Sequence, residues 1–258
     1  MNAICPLSQV PVRFEPSDRS EMVTQLLFGE TFTITEEKGN WLLINSHLDN
    51  YSGWIDRKQS LNVTQEFFEQ YAHRSKHFMS AKTGICTCQT DGTRILLTKG
   101  SILPLFHKGD FTLGTKVYHT AEKCKVVPHK FKPSKVFSTS MEYLNVPYLW
   151  GGRSILGVDC SGFVQVVYQM CGIMLPRDAS QQVEKGLIVD FVDEAQPGDL
   201  AFFDNLMGEI IHVGIMLGDG NIIHASGQVR IDKIDHNGIF NASLGTYTHS
   251  LRIIKRLF

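Results

Sequence analysis

Cys160 occupies the position in this chain that most favours covalent chemistry. It follows Asp159 and begins the run CSGFVQVVYQMC, Cys160 to Cys171, whose apolar residues recur at helical spacing. Asp159 and Gly172 suit the two caps of that helix. A thiol at a helix start lies near unpaired backbone N–H groups and the positive end of the helix dipole, so we expect the pKa of Cys160 to be lowered. The alternative is a buried structural cysteine, an interpretation that also suits Cys171.

Two histidines downstream could supply the base that a cysteine nucleophile needs within hydrogen-bonding reach. His212 begins the alternating run HVGIML and His224 ends the run NIIH, with the turn Gly218-Asp219-Gly220 between them. A hairpin over these runs would place both histidines on neighbouring strands. The first would act as general base and the second would hold its ring, which gives a Cys-His-polar triad. Spacing alone leaves open the alternative that both are structural histidines.

The elements that would position these residues begin near residue 134. Apolar spacing predicts a helix over 134–144 with Val136, Phe137 and Leu144 facing inward, and a short helix over 178–185. Strand-like runs follow, at 200–203, 212–217, 221–224 and 251–255. Helices followed by antiparallel strands are typical of an α+β domain.

The earlier part of the chain has a different pattern. Short runs rich in β-branched and aromatic residues alternate with turn-type clusters, which favours a small barrel. These runs are VPVRF, VTQLL, FTIT, WLLIN and GWID, within residues 10–56. Residues 64–79 predict a connecting helix with Thr64 at its N-terminus. A second, weakly patterned β unit is expected over 80–127, and PHKFKP, residues 128–133, is the predicted linker.

Composition describes an ordinary globular protein. Of the 258 residues, 43% are hydrophobic and 20% charged, which excludes a wholly disordered chain, a collagen-like fibre and a coiled coil. A formal net charge of -1 gives no reason to expect a nucleic-acid partner. The N-terminus lacks a signal-peptide pattern and no run reaches the roughly 18 apolar residues of a membrane span. We therefore expect no membrane span and a cytoplasmic protein, with a removed leader as the alternative.

The six cysteines are too few and too scattered for a disulfide framework. Only Cys86 and Cys88 lie close together, as C-T-C, and the chain has no C-x-x-C pair of the kind that binds zinc. Four of the ten histidines fall between residues 73 and 119, but scattered histidines and a C-x-C make a poor ligand set. We expect no metal and no cofactor.

A series of motifs in one order resembles the NlpC-type papain-like cysteine peptidases of bacterial cell-wall metabolism. These motifs are YLWGGR, DCSGFVQ, PRDASQQ, PGDLAFF, HVGI and IHASG. Residues 1–60 resemble a bacterial SH3-like domain, in VRFEPSD, LLFGE and YSGWID. The resemblance implies an α+β papain-like catalytic domain, residues 134–258, preceded by two small all-β SH3-like barrels. The implied barrels span 1–60 and, in divergent form, 80–127, with a connecting helix over 61–79.

The pairing of these domains with PRDASQQ further resembles the γ-D-glutamyl-L-diamino acid endopeptidases. It implies hydrolysis of the amide between γ-D-Glu and the diamino acid in murein peptides that carry a free N-terminal L-Ala, during peptidoglycan recycling or turnover. It makes Cys160 the nucleophile, His212 the base and His224 the orienting residue. The implied substrate-binding residues are Glu30, Tyr51, Tyr148, Asp159, Ser161, Asp178 and Ser180.

The resemblance also implies how the free amino end is selected. Glu30 and Tyr51 would help close the subsite for the substrate ammonium, and Glu30 with Asp178 would neutralise it, because an unpaired buried charge is costly. Plain structural alternatives remain for six of these seven residues. They are a solvated turn for Glu30, packing for Tyr51 and Tyr148, an N-cap for Asp159, an ion pair with Arg177 for Asp178, and a helix-start position for Ser180.

Two other functions stay open from the residues alone. One is a non-catalytic peptidoglycan-binding protein in which the β units do the binding. The other is an amidase or acyltransferase on the same scaffold, which would share the cysteine and histidines. For the peptidase we expect murein peptides, L-Ala-γ-D-Glu-diamino acid, as the partner, no nucleic acid, and a monomer.

Overall fold

The computed structural model describes residues 1–128 and 130–258. The chain folds into two compact units, one formed by 1–127 with 153–156 and the other by 128–152 with 157–258. The predicted linker, 128–133, contains residue 129, which lies outside the described residues. Each unit has a buried apolar core of its own.

The first unit begins with a seven-stranded antiparallel sheet, which confirms the expected small barrel. Its core includes Val10, Val12, Leu26 and Phe32, because alternate residues of each strand point inward. The strands are β1 (Asn2–Ile4), β2 (Gln9–Arg13), β3 (Met22–Leu27), β4 (Thr31–Lys38), β5 (Trp41–Ser46), β6 (Ser52–Asp56) and β7 (Leu61–Asn62). They lie in the order β3-β2-β6-β5-β4-β1-β7.

The predicted connecting helix is shorter than expected. Helix α1 (Gln65–His73) begins as predicted, since Thr64 Oγ1 accepts a hydrogen bond from Phe67 N at 3.1 Å. It ends where Arg74 adopts extended backbone, and β8 (His77–Met79) follows. The prediction of a helix through residue 79 is wrong because Phe78 is buried in that strand, so packing overrides a weak helical pattern.

The remainder of the first unit consists of two small sheets. One contains β9 (Thr83–Cys88), β10 (Arg94–Thr98), β12 (Asp110–Leu113) and β13 (Lys116–His119), and the other joins β8 to β11 (Ile102–Leu103) and β14 (Cys124–Val126). Cys86 and Cys88 point to the buried face of β9. Gly29 is required in this unit, since its φ is +79° and a Cβ there would lie 2.0 Å from Ile102 O. The segment 153–156 also belongs to this unit and includes β15 (Arg153–Ser154).

The second unit has helices first and a large antiparallel sheet afterwards, which confirms the α+β prediction. The helices are α2 (Pro133–Met141), α3 (Cys160–Cys171) and α4 (Ala179–Gln182), and β16 (Gly157–Val158) precedes α3. The sheet strands are β17 (Leu187–Val189), β18 (Leu200–Asp204), β19 (Ile210–Gly218), β20 (Asn221–Ser226), β21 (Gln228–Asp235), β22 (Gly238–Asn241) and β23 (Thr246–Arg256). Their order is β17-β23-β18-β19-β20-β21-β22. In α2, Val136 is buried as expected, whereas Phe137 is half exposed.

Helix α3 and the β19–β20 hairpin carry the predicted chemistry. Every residue of α3 is buried, and the helix ends at Gly172, whose φ of 102° is the left-handed conformation that glycine adopts without strain. β19 and β20 pair antiparallel, and Asp219 and Gly220 between them both have positive φ, as a tight hairpin turn requires. Within 1–128 and 130–258, no helix is long and apolar enough to cross a membrane.

Candidate active site

Asp159 fixes the start of α3 and therefore the position of Cys160. Its Oδ1 accepts a hydrogen bond from Gly162 N at 2.7 Å, which confirms the predicted N-cap. Its Oδ2 accepts from Gly151 N at 2.9 Å, so the same carboxylate also holds the loop that precedes the helix. Cys160 is the first helical residue and is buried.

Arg177 completes the support of this carboxylate. Nη1 donates to Asp159 Oδ1 at 3.0 Å and to Ser161 Oγ at 2.9 Å, and Nη2 donates to Asp159 Oδ2 at 2.5 Å. Both side chains are buried, so this is a bidentate ion pair of the geometry that arginine favours. Sequence reasoning placed Arg177 beside Asp178 and missed its contacts at the start of α3.

The environment of the Cys160 thiol reverses one expectation. Burial is the largest influence, and with the nearby charge of Asp159 it raises the pKa of Cys160 to about 11. The backbone groups of Val213 and Ser161 act in the opposite direction but are outweighed. The predicted lowering of the pKa by the helix start is therefore wrong in net sign, and the resting side chain is a neutral thiol. The contact with Val213 also places the thiol beside the strand that carries His212.

The two histidines meet across the hairpin, as predicted. His212 Nε2 lies 2.9 Å from His224 Nδ1, and both rings are buried. The strand register explains the contact, because Gly214 lies directly opposite His224 and His212 is two residues away on the same face. A Cβ at position 214 would lie 2.7 Å from Ile222 Cδ1 and 3.0 Å from His224 Cβ, so glycine permits the close packing of β19 against β20 beside His224.

His212 is kept neutral at rest. Burial lowers its pKa well below the ordinary 6.5, and the neighbouring His249 and His224 lower it further. His249, on β23, stacks on His212 with ring centroids 4.2 Å apart. Burial likewise lowers the pKa of His249 to about 4. A neutral imidazole can accept a proton, as a general base must.

Asp232 extends this arrangement, and sequence reasoning missed it. Its Oδ2 lies 2.9 Å from His224 Nε2, and Arg230 Nη2 donates to Oδ1 at 2.8 Å. Asp232 lies on β21, a strand that the sequence patterns did not predict. The available signal was the alternation in QVRIDKID, where Arg230 and Asp232 fall on one face directly after the His224 strand.

Tyr148 lies beside the histidines in a cleft of the second unit. The cleft has a volume of about 260 Å³ and is lined by Tyr148, Ile211, His212, Ala225, Ser226, Gly227 and His249. Burial raises the pKa of Tyr148 to about 12, with Cys160 and Asp159 adding to the effect. The phenol therefore stays protonated and can donate a hydrogen bond.

Two further predicted residues lie on the short helix α4. Asp178 is its N-cap residue, and its backbone N–H donates to Gln181 Oε1 at 3.3 Å. Ser180 is exposed in the first turn. Gln182 connects α4 to α3, since its Nε2 donates to Ser161 O at 3.1 Å.

Glu30 and Tyr51 belong to the first unit. Glu30 is 3% exposed, and its carboxylate accepts two hydrogen bonds from Arg153, at 2.9 and 3.1 Å. Its Oε2 also accepts from Leu27 N at 2.9 Å, so Glu30 is a buried ion-pair residue and the solvated-turn alternative is wrong. Tyr51 is half-buried, and its backbone N–H donates to Asp49 Oδ1 at 3.1 Å.

In the part of the chain that the structure describes, no three His, Cys, Asp or Glu side chains cluster as a metal site would require.

Comparison with known proteins identifies the family. The model of the NlpC/P60 family matches residues 145–247, and that of the bacterial dipeptidyl-peptidase Sh3 domain matches residues 12–59. A gamma-D-glutamyl-L-lysine dipeptidyl-peptidase of Bacillus subtilis (strain 168) is 31% identical over 218 residues, covering 78% of this chain and 71% of the relative. This chain belongs to the NlpC/P60 family. NlpC/P60 proteins are cysteine peptidases, so the enzyme class that the motifs indicated is confirmed.

Two further similarities support the NlpC/P60 assignment. A gamma-D-glutamyl-L-lysine dipeptidyl-peptidase of Bacillus cereus (strain ATCC 10987 / NRS 248) is 30% identical over 239 residues, covering 81% of this chain and 68% of the relative. The crystal structure of an NlpC/P60 family protein from Bacillus cereus ATCC 10987 matches with a TM-score of 0.83 at 23% identity. That match covers 100% of this chain and 99% of the other, and it confirms the predicted fold class of SH3-like barrels with a papain-like domain.

Proposed function

We propose that this NlpC/P60 peptidase hydrolyses the amide between γ-D-Glu and the diamino acid in murein peptides that begin with a free L-Ala. The names of the relatives that are 30% and 31% identical support the γ-D-glutamyl specificity. Peptides of this kind arise when peptidoglycan is degraded, so the reaction belongs to peptidoglycan recycling or turnover.

One observation carries the proposal. A neutral thiol at the start of a buried helix lies beside the strand of a neutral imidazole, which in turn contacts a second imidazole at 2.9 Å. This is the nucleophile, base and orienting group that acyl transfer requires. Because Nε2 of His212 contacts His224, Nδ1 is the ring nitrogen that accepts the thiol proton.

The first half of the reaction forms an acyl-enzyme. Cys160 Sγ attacks the γ-carbonyl carbon while its proton passes to His212, and the carbonyl electron pair moves onto oxygen. The backbone N–H of Cys160 at the helix start and the protonated phenol of Tyr148 are the donors for that oxyanion. His212 then protonates the diamino-acid amine as the C–N bond breaks, and the dipeptidyl thioester remains.

The second half regenerates the enzyme. His212 takes a proton from water, whose oxygen attacks the thioester carbonyl, and collapse of the intermediate releases the L-Ala-γ-D-Glu acid. The proton on His212 returns to the thiolate of Cys160. The resting thiol is thereby restored without any external oxidant, reductant or cofactor in the balance.

A panel of three peptides tests the proposed substrate. L-Ala-γ-D-Glu linked to lysine or meso-diaminopimelate is compared with its α-linked isomer and with the N-acetylated γ-linked peptide, and products are identified by mass spectrometry. We expect the dipeptide and the free diamino acid only from the γ-linked peptide whose N-terminal amine is free. Cleavage of the α-linked isomer at the same rate would overturn the γ-D-glutamyl specificity, and equal cleavage of the acetylated peptide would overturn the requirement for a free amine.

A further inference from the structure

A buried carboxylate stands at the far end of the two-histidine contact. Asp232 is 8% exposed, and its Oδ2 lies 2.9 Å from His224 Nε2. His224 in turn contacts His212 through its other ring nitrogen at 2.9 Å. Three side chains on three consecutive strands therefore form one hydrogen-bonded chain that ends at the proposed base.

The sheet register places all three on one face. His224 lies directly opposite Gly214 of β19 and directly opposite Arg230 of β21. His212 precedes Gly214 by two residues and Asp232 follows Arg230 by two, and residues two apart in a strand share a face. Each contact is therefore a diagonal cross-strand pair, which lies within reach of long side chains.

The donor and acceptor roles of Asp232, His224 and His212 follow from the carboxylate. An ionised carboxylate only accepts hydrogen bonds, so His224 Nε2 carries a proton. With one ring proton, held on Nε2, His224 has its lone pair on Nδ1, and His212 Nε2 must donate to it. Neutral His212 consequently has its own lone pair on Nδ1, the nitrogen that accepts the thiol proton in the proposed reaction.

We propose that Asp232 is a positioning residue that selects the catalytic tautomers of both histidines through His224. This inference rests on the proposed function, because it assigns the proton acceptor of that reaction. The carboxylate also remains in contact with the chain when His212 becomes an imidazolium, so it stabilises the charged intermediate without taking a proton itself.

Arg230 holds the carboxylate in this state. Its Nη2 donates to Asp232 Oδ1 at 2.8 Å, and its Nε lies 2.7 Å from Oδ2. Burial alone would raise the pKa of Asp232, but the hydrogen bonds from His224 and Arg230 outweigh it and hold that pKa below the ordinary value. The other titratable side chain against the His212 ring is His249, which is neutral at pH 7 because burial lowers its pKa to about 4.

The variant Asp232→Asn makes the inference falsifiable. Arg230 hydrogen-bonds the carboxylate through Nη2 to Oδ1, whereas its Nε makes no aligned hydrogen bond to Oδ2. The new carboxamide therefore keeps its oxygen against Nη2 and places its NH₂ at the Oδ2 position, which faces His224. His224 then accepts at Nε2 and carries its proton on Nδ1, which forces the lone pair of His212 onto Nε2. A carboxylate-to-amide change at the third position of a serine-protease triad lowers kcat by about 10⁴-fold for this reason.

Imidazole ¹⁵N chemical shifts, recorded by long-range ¹⁵N–¹H correlation on the full chain, report the tautomers without any substrate. In the wild type we expect His224 to be protonated on Nε2 and His212 to have a bare Nδ1. In Asp232→Asn we expect His224 to be protonated on Nδ1 and His212 to have a bare Nε2. A wild-type His224 with its proton on Nδ1 overturns the inference, whatever the peptide assay gives and whether or not the variant folds. A wild type that has these tautomers but cleaves no γ-linked peptide instead contradicts the proposed function.

Kinetics separate positioning from a merely structural role. We expect Asp232→Asn to lose roughly 10³-fold or more in kcat with little change in KM, and Asp232→Ala to lose less, because alanine forces no tautomer. Asp235→Asn is the matched control, since Asp235 lies on the same strand and its Oδ2 accepts from the exposed Tyr247 hydroxyl at 2.5 Å. We expect no loss of kcat there. An alanine variant as impaired as the asparagine variant would overturn the inference.

Discussion

The buried ion pair behind the nucleophile helix provides a quantitative test of how Cys160 is positioned. Replacing Arg177 with methionine removes three hydrogen bonds, two to Asp159 and one to Ser161, and leaves the carboxylate in a buried site. Breaking one side of a buried ion pair costs about 3–5 kcal/mol. Asp159 retains donors from Gly162 N and Gly151 N, so we expect the lower end, about 3 kcal/mol.

Differential scanning calorimetry of the full chain measures this loss. At about 2–4 °C per kcal/mol for a chain of this size, Tm of the Arg177→Met protein should fall by roughly 6–12 °C. The double variant Arg177→Met with Asp159→Asn should be more stable than the single variant by at least about 1 kcal/mol, because asparagine still caps α3 but carries no charge. Such non-additivity is the signature of a direct interaction.

An exposed pair supplies the matched control for the arginine-to-methionine change. Arg57 Nη2 lies 2.7 Å from Glu37 Oε2, with side chains 47% and 48% exposed, so Arg57→Met should cost less than about 1 kcal/mol. An Arg177→Met shift no larger than that of Arg57→Met would refute the reasoning. The reasoning would also be refuted if the Arg177→Met, Asp159→Asn double variant lost as much stability as the sum of the losses in the Arg177→Met and Asp159→Asn single variants.

Three further predictions concern the base, the hairpin and the first unit. Activity should be lost on acidification only below pH 6.5, because neutral His212 is required and its pKa lies well below 6.5; a kcat/KM profile with an acid midpoint at or above 6.5 would contradict this. Gly214→Ala should lower kcat at least about tenfold, since the added Cβ would crowd the Ile222 side chain and His224 Cβ and so displace the histidine pair. A kcat equal to that of the wild type would contradict this. Glu30→Gln should lower Tm through the loss of the buried charge pair with Arg153, at a cost of about 3 kcal/mol, and the family resemblance predicts a raised KM for the free-amine peptide. Calorimetry checks the stability loss of Glu30→Gln, and an unchanged Tm would contradict it. Steady-state kinetics check the substrate-binding role of Glu30, and an unchanged KM would contradict that role.

The sequence predicted the features of the site that depend on local chemistry. The caps of α3 are local, since Asp159 needs only the next few backbone N–H groups and Gly172 only its own φ angle. The hairpin that joins His212 and His224 is also local, because its Asp-Gly turn and its alternating runs specify an antiparallel pair. The family resemblance then gave the fold class, the papain-like and SH3-like domains.

Features that depend on burial and distant pairing were missed. The pKa of Cys160 is raised because burial outweighs the helix start, and burial depends on the whole fold. Arg177 reaches Asp159 from a loop 18 residues further along the chain, and no helix or strand spacing predicts that contact. Asp232 required the register of a third strand, and a shift of one residue would have turned its side chain to the other face.

The central claim is that the Cys160 thiol forms the covalent bond that splits the γ-D-glutamyl amide. Turnover of L-Ala-γ-D-Glu-diamino acid peptide by the wild type and by Cys160→Ala, with matched melting curves to show that both are folded, tests this most directly. We expect the wild type to release L-Ala-γ-D-Glu and the alanine variant to release none above the uncatalysed rate. Equal turnover by the two folded proteins would contradict the account.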